Sequence, residues 1–153
     1  MFNEKEKKIA YISCDHAAFK MKETLKDHLE GLGLDVRDLG CFNEDPCDYP
    51  DVAREIGEKI IEHPDAVGVL LCGSGSGVCM GVNRFKMVRA ANCVTPEMAE
   101  MTRKHNNANV LCMGSRIVEE ATAKEIVDTF LATDFEKGEE RHVRRVDKLK
   151  MIG

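Results

Sequence analysis

Short apolar runs alternate along the chain with longer segments in which apolar residues recur every three or four positions. The short runs predict five strands, at residues 8–13, 34–39, 66–71, 89–93 and 109–113. The periodic segments predict helices at 19–32, 51–63, 96–105, 119–131 and 139–151, and a short helix that begins at Val78. This alternation predicts a doubly wound, Rossmann-like α/β domain of three layers, with a five-stranded parallel sheet and a C-terminal helix.

Turn and cap residues support these boundaries. Gly33 follows the first predicted helix as a closing residue, Pro64 stops the second, and Pro96 stands in the first turn of the third complete helix. Residues 40–50 are rich in Asp, Asn, Gly and Pro and predict a loop. Residues 1–8 are polar and predict an N-terminal extension before a single domain at 9–153. They have neither the apolar core of a signal peptide nor a membrane span, so we expect a cytoplasmic protein.

Composition narrows the classes of ligand. The 153 residues are 43% hydrophobic and 32% charged, with a net charge of −5. An acidic chain of this kind argues against a nucleic-acid surface or a membrane partner, but a local basic cluster could still bind a small phosphorylated ligand. The seven cysteines include no C-x-x-C pair and no set with metal-ligand spacing. We therefore expect free thiols, no metal and no cofactor.

The segment from Cys72 to Gly77 is the strongest chemical signal. It contains Gly73, Ser74, Gly75 and Ser76 and joins a buried strand to a short helix, which directs backbone N–H groups into one concavity. A helix N-terminus also favours the thiolate of a neighbouring cysteine. A base beside an anion site predicts chemistry through an enolate-like intermediate. The alternatives are a tight turn that needs glycine and an inert buried cysteine. The spacing matches neither the dinucleotide fingerprint nor the P-loop.

Polar residues follow the other predicted strands. Ligands of such sheets bind beyond the carboxyl ends of the strands. Asp15 and His16 follow the first strand and are a candidate acid/base and anion pair, although Asp15 could be a helix cap and His16 a solvated residue. Arg116 follows the fifth strand and could equally be a surface residue. The remaining candidates are Tyr49, which could pack a loop on the sheet, and His105 and Asn106, which could cap a helix.

The last predicted helix contains the main basic cluster of this acidic chain, formed by Arg141, His142, Arg144 and Arg145. Arg141 and Arg145 are four residues apart, so they share a helix face and could clamp one phosphate. The alternative is a solvated face that pairs with Glu139 and Glu140.

Together these segments resemble the ribose-5-phosphate isomerase B family, which also includes allose- and galactose-phosphate isomerases. The resemblance extends over nearly the whole chain from Lys8. The matching segments, in family order, are 14–19, 48–50, 72–77, 105–106 with 109–111, 114–116, and Arg141 with Arg145. It implies interconversion of ribose 5-phosphate and ribulose 5-phosphate through a cis-enediolate without metal, at a site shared by two copies of the chain.

The resemblance also implies a role for each matched residue. Cys72 would move the proton between carbons 1 and 2, and the N–H groups from Gly73 to Gly77 would hold the enediolate oxygen. Asp15, His105 and the Ser74 hydroxyl would open the sugar ring. The residues that would bind phosphate are His16, Arg116, Arg141 and Arg145, and those that would contact sugar hydroxyls are Tyr49 and Asn106.

Two positions depart from the family pattern: Ala18 stands where glycine is more frequent, and Ser74 replaces a common threonine but keeps its hydroxyl. Three alternatives remain open at this stage. The enzyme could isomerise a six-carbon sugar phosphate, or the chain could bind a phospho-ligand without catalysis, in which case the thiol at position 72 would have no purpose. A thiol redox protein is the third, and the absence of C-x-x-C argues against it.

Overall fold

The computed structural model describes residues 7–153, so most of the predicted extension at 1–8 lies outside the described residues. Lys7 and Lys8 are exposed and lead directly into the first strand. Between residues 7 and 153, no helix combines the length and the apolar character needed to cross a membrane.

Five strands and six helices alternate along the chain, as predicted. The strands are β1 (Ile9–Cys14), β2 (Asp35–Asp38), β3 (Val67–Cys72), β4 (Ala90–Asn92) and β5 (Val110–Gly114). The helices are α1 (Phe19–Gly31), α2 (Tyr49–Glu62), α3 (Ser76–Val82), α4 (Pro96–Asn106), α5 (Glu120–Ala132) and α6 (Glu140–Leu149). A 3₁₀ turn that the periodicity did not predict, His16–Ala18, precedes α1.

The five strands form one parallel sheet in the order β2-β1-β3-β5-β4. From β1 the chain moves outward to β2 and then crosses back to β3 on the other side of β1. The direction of winding therefore reverses between β1 and β3. In an open α/β sheet, a crevice forms at the carboxyl ends of the two strands that flank such a switch point.

Two apolar cores cover the faces of the sheet, which confirms the three-layer prediction. The helices α1 and α5 pack on one face, and α2 and α3 pack on the other. Along β3, Val69 and Leu71 point into the first core, whereas Leu70 and Cys72 point into the second. This alternation follows from the two-residue period of a strand, and it makes β3 buried on both sides.

The helix α2 begins at Tyr49, two residues before its predicted start. Pro50 is in its first turn, where the missing N–H of proline leaves no intrahelical hydrogen bond unmade. The prediction that Tyr49 belongs to a loop is therefore wrong. The helix α3 likewise begins at Ser76 rather than Val78. Gly33, with φ +90°, ends α1 as predicted.

The expectation that all seven cysteines are free is wrong for two of them. Cys41 and Cys47 are joined by a disulfide in the connection between β2 and α2. This connection folds back on itself, so thiols six positions apart in the sequence meet. No motif marks that spacing. The other five cysteines are free.

The side chain of Lys22, on α1, is fully buried. Its ammonium group donates hydrogen bonds to both carboxylate oxygens of Asp38, at 2.9 Å each, and to the carbonyl oxygen of Cys41, at 2.5 Å. Asp38 also accepts a hydrogen bond from the N–H of Gly40. This buried pair thus ties α1 to the end of β2 and to the start of the disulfide loop.

We expect Asp38→Ala to lower the free energy of unfolding by roughly 3–5 kcal/mol, because it leaves the Lys22 charge buried without its main partner. Urea unfolding followed by circular dichroism measures this. Lys26→Ala is the matched control, since Lys26 is partly exposed and lies 3.5 Å from the same carboxylate. A pair of that kind contributes at most about 1 kcal/mol. Equal losses in the two variants would contradict the importance of the buried pair.

Candidate active site

Cys72 is the last residue of β3 and stands at the switch point. Asp15 follows β1 directly, and its backbone N–H donates to the carbonyl of Leu71 at 3.0 Å. The thiol and the carboxylate therefore emerge from neighbouring strands at the same edge of the sheet. The fold brings together the first two candidate residues where such a sheet binds ligands.

The glycine loop turns back over the thiol. The N–H of Gly75 donates to Sγ of Cys72 at 3.0 Å, and the cysteine is only 4% exposed. Gly75 has φ +80°, and a Cβ there would stand 2.3 Å from Oδ1 of Asn92. Only glycine satisfies both conditions. The tight-turn interpretation is therefore correct as far as it goes, and the same turn directs an amide at the sulfur.

The carboxyl ends of β4 and β5 hold the loop in place. The N–H groups of Ser115 and Arg116 donate to the carbonyls of Cys72 and Gly73, at 2.9 and 3.0 Å. A Cβ at Gly114 would stand 2.4 Å from the carbonyl carbon of Ser74, so β5 and the loop touch backbone to backbone. Asn92, which ends β4, donates from Nδ2 to the carbonyl oxygen of Ser74 at 3.2 Å.

Two of the five amides from Gly73 to Gly77 already have partners within the loop. That of Gly75 donates to the thiol, and that of Ser76 donates to Oγ of Ser74 at 3.2 Å. The Ser74 hydroxyl accepts this hydrogen bond, so its own proton is available to donate. Gly77 lies in the first turn of α3, where amides have no carbonyl partner within the helix.

Burial keeps three of the free thiols in their neutral form. It raises the pKa of Cys14 to about 12 and that of Cys93 to about 11. It also raises the pKa of Cys112. These three are therefore neutral thiols at pH 7. A hydrogen bond with Cys112 lowers the pKa of Cys79, and the Cys79 Sγ lies 3.6 Å from the carbonyl oxygen of Ala90.

Asp15 caps the 3₁₀ turn, because its Oδ1 accepts the N–H of Ala17 at 3.0 Å. The capping interpretation is confirmed, and it fixes the carboxylate at the mouth of the crevice. His16 is exposed, with Nδ1 3.2 Å from the backbone nitrogen of Cys47. The ring of Tyr49 lies within 3.1 Å of the position that a Cβ on Gly77 would occupy. The ring of Tyr49 therefore borders the glycine loop, and His16 contacts the connection that precedes α2.

Arg116 provides positive charge at the same edge. Its Nη1 stands 3.1 Å from the position of a Cβ on Gly73, so the guanidinium lies directly over the loop. The candidate residues collected at this edge are Asp15, His16, Tyr49, Cys72, the loop from Gly73 to Gly77, and Arg116.

His105 and Asn106 lie at the opposite edge of the sheet. They end α4, which starts beyond the carboxyl end of β4 and returns to the amino end of β5. Cys72 pairs with Gly114 at the carboxyl end of β5. Val110 and Gly114 are about 13 Å apart along the strand at the usual rise per residue. One chain therefore does not bring His105 to the thiol.

The arginines of α6 belong to this second edge. The segment before α6 is tied to the end of α4, since the N–H of Glu136 donates to the carbonyl of Lys104 at 3.1 Å. Arg141, Arg144 and Arg145 are exposed, and Nε of Arg141 is 3.1 Å from Oε2 of Glu139. Glu139 thus pairs with Arg141 as the solvated-face alternative predicts. The rings of His105 and His142 stack, with centroids 4.6 Å apart.

Sequence reasoning missed four residues around these two groups. Asn92 and Ser115 fasten the glycine loop; Ser115 follows β5 directly, so the rule that selected Arg116 would also have selected it, whereas Asn92 lies within the predicted fourth strand. His142 was noted only as part of the basic cluster. Glu136 had no signal, because it is a charged residue in a connection between helices.

The model of the Ribose/Galactose Isomerase family matches residues 10–149 of this sequence. The match includes both edges of the sheet. The chain belongs to this family. A curated relative, the ribose-5-phosphate isomerase B of Escherichia coli, is 38% identical over 146 residues, which cover 95% of this chain and 96% of the relative.

Solved structures of family members have the same fold. A ribose 5-phosphate isomerase from Thermotoga maritima aligns with a TM-score of 0.90 at 42% identity and covers 94% of this chain and 98% of its own. The ribose-5-phosphate isomerase B of Mycoplasma genitalium, with bound ribulose-5-phosphate, aligns with a TM-score of 0.89 at 39% identity and covers 94% of each chain.

Proposed function

We propose that the protein interconverts ribose 5-phosphate and ribulose 5-phosphate through a cis-enediolate, with Cys72 as the base. The observation that carries this proposal is the thiol at the switch point, in hydrogen-bond contact with the Gly75 amide and beside Asp15. A thiolate has little use in a protein that only binds a phosphate. The M. genitalium relative that holds ribulose-5-phosphate supports the choice of a five-carbon substrate.

In the proposed reaction, the Cys72 thiolate removes the proton from carbon 2 of the open-chain aldose. The electron pair forms the C1–C2 double bond, and negative charge develops on the carbonyl oxygen at carbon 1. The thiol then returns the proton to carbon 1, while the hydroxyl proton on oxygen 2 moves to oxygen 1. The ketose results and the thiolate is regenerated. The Gly75 N–H stabilises that thiolate at the start and at the end.

The oxygen that becomes negative needs hydrogen-bond donors that are already in place. Because the amides of Gly75 and Ser76 have partners in the loop, the proposal assigns this role to the amides of Gly73, Ser74 and Gly77. The Ser74 hydroxyl can donate as well. Contacts from β4 and β5 hold the loop rigidly, so these donors need little reorganisation during the reaction.

Ring opening requires an acid and a base near the ring oxygen and the anomeric hydroxyl. Asp15 is close to the thiol, but His105 lies at the other edge of its own chain. We therefore assign His105 and Asn106 in each site to a second copy of the chain, so that the functional unit is a homodimer or a larger even assembly. Asn106 and Tyr49 would contact sugar hydroxyls.

The phosphate would likewise be bound by residues from two copies of the chain. His16 and Arg116 of one chain follow the carboxyl ends of β1 and β5, and Arg141 and Arg145 of the second copy would complete the site. The proposed reaction needs no metal, since each charge that develops faces an amide or an acid/base side chain. A cytoplasmic location remains a prediction.

Turnover of ribose 5-phosphate by the purified protein tests the proposal, with allose 6-phosphate and galactose 6-phosphate as competing substrates. We expect ribose 5-phosphate to have the highest kcat/KM. We also expect Cys72→Ala to lower kcat by roughly 10²–10⁴-fold, the usual contribution of a general base, while ligand binding persists on the intact amides.

Cys79→Ala is the matched control, because Cys79 is a free cysteine on α3 whose Sγ lies 3.6 Å from the carbonyl oxygen of Ala90. Its activity should stay near that of the wild type. Near-normal turnover by Cys72→Ala would show that the thiol is not the base. A higher kcat/KM of the wild type for a six-carbon sugar phosphate would contradict the proposed substrate.

Mixing two inactive variants tests whether the site is shared. Cys72→Ala and His105→Asn should each be inactive alone. After joint unfolding and refolding, a mixed dimer contains one site with both native residues, so about a quarter of wild-type activity should return for a two-fold symmetric dimer. Refolding each variant alone is the control. Differently tagged chains verify that mixed dimers have formed. If these mixed dimers recover no activity, His105 and Cys72 of the same chain act in one site.

Arg145→Ala should weaken binding of the phosphorylated sugar by roughly 1.5–3 kcal/mol, the range for a charge-assisted hydrogen bond. Titration calorimetry with an unreactive sugar-phosphate analogue measures it. Arg144→Ala is the control, since its side chain points about 100° away around the helix. Similar effects of the two substitutions would favour the solvated-face alternative and leave the phosphate without this clamp.

A further inference from the structure

Three side chains that are distant in sequence meet where α4, α6 and the segment before α6 come together. His105 belongs to α4, Glu136 to the segment between α5 and α6, and His142 to α6. Each offers one metal-ligating atom, and these three atoms lie within 4.8 Å of one another. We refer to them as the His105 cluster.

One atom of the His105 cluster is buried and finds no hydrogen-bond partner within residues 7–153. This atom is Nε2 of His142, a residue that is only 6% exposed. The nearest carboxylate oxygen, Oε2 of Glu136, is 3.5 Å away and lacks hydrogen-bond geometry. Buried polar nitrogens are normally satisfied, so an orphaned imidazole nitrogen that faces a second histidine and a carboxylate points to a missing ligand.

The backbone holds the three residues in this arrangement. The N–H of Glu136 donates to the carbonyl of Lys104, which precedes His105. The N–H of Glu139 donates to Glu136, and that of His142 donates to Glu139, at 3.1 and 3.0 Å. The stack of the two imidazole rings, inclined by 24°, fixes their relative orientation.

We propose that the His105 cluster binds a zinc ion, and that zinc bound there inhibits the enzyme. Two imidazoles and one carboxylate, with a fourth position open, form a ligand set typical of Zn²⁺. Mg²⁺ and Ca²⁺ prefer oxygen ligands and fit less well. The inhibitory part rests on the proposed function, in which His105 opens the sugar ring. Zinc would occupy the nitrogen that must exchange a proton.

Sequence spacing does not reveal the cluster. Known zinc motifs place ligands a few residues apart, whereas Glu136 and His142 follow His105 only after the whole of β5 and α5. The expectation that the sequence contains no metal-ligand spacing is compatible with the cluster, because the fold alone assembles these ligands. The metal-free protein remains the active form in this proposal.

Calorimetric titration of chelator-treated, full-length protein with ZnCl₂ tests the site directly. We expect one zinc ion per chain, and at least roughly tenfold weaker binding in Glu136→Gln and in His142→Asn. Glu139→Gln is the matched control, because that acidic side chain pairs with Arg141 outside the cluster. Cys72→Ala should bind zinc as the wild type does. Since His142 is buried, circular dichroism checks the folding of its variant, and Glu136→Gln provides the milder test.

Inhibition of isomerase activity by zinc provides the second measurement. Glu136→Gln should keep the metal-free activity and require at least roughly tenfold more zinc for half inhibition. Unchanged zinc affinity in Glu136→Gln would overturn the proposed site. If Cys72→Ala also lost zinc binding, the metal would be bound at the thiol. Zinc bound at the His105 cluster without loss of activity would overturn the inhibition, and would count against His105 as the group that opens the ring.

Discussion

The arrangement of this molecule depends on one constraint of parallel sheets: a helix that joins two parallel strands must run back against them. The last residues of a strand and the last residues of the following helix therefore lie at opposite edges. Cys72 ends β3, whereas His105 is the next-to-last residue of α4. One chain therefore places Cys72 at the carboxyl ends of its strands and His105 at their amino ends. The separation is a product of topology, and no change in side-chain conformation can remove it.

Close backbone contacts give the thiol its surroundings. The loop after β3 is in contact with the end of β5, where Gly114 leaves no room for a side chain beside Ser74. On the other side, Asn92 crowds Gly75 and binds the Ser74 carbonyl. The glycines thus permit dense packing around the loop, and this packing directs the Gly75 amide at the sulfur. Flexibility is the wrong description of a glycine-rich segment of this kind.

Much of the fold and half of the candidate site were predictable from local patterns. Alternating apolar runs and helical periods predicted the strands and helices, and strand ends predicted Asp15, Cys72 and Arg116 at one edge. The features that were missed depend on contacts between distant residues. A lysine such as Lys22 has the pattern of a solvated residue until Asp38 meets it, and the bond between Cys41 and Cys47 requires a particular loop path. The distance between His105 and Cys72 could be inferred only by combining the strand order with the direction of α4.

The helix α6 buries few side chains, which affects how readily it unfolds locally. Of its ten residues, only His142 and Val146 are buried, whereas α5 buries four side chains in the first core. Opening a helix exposes apolar surface in proportion to what it buries, so local unfolding of α6 costs far less than that of α5. We therefore expect hydrogen exchange at the amides of α6 to be faster than at those of α5. Because Arg141 and Arg145 share this short helix, its local unfolding would release both guanidinium groups together.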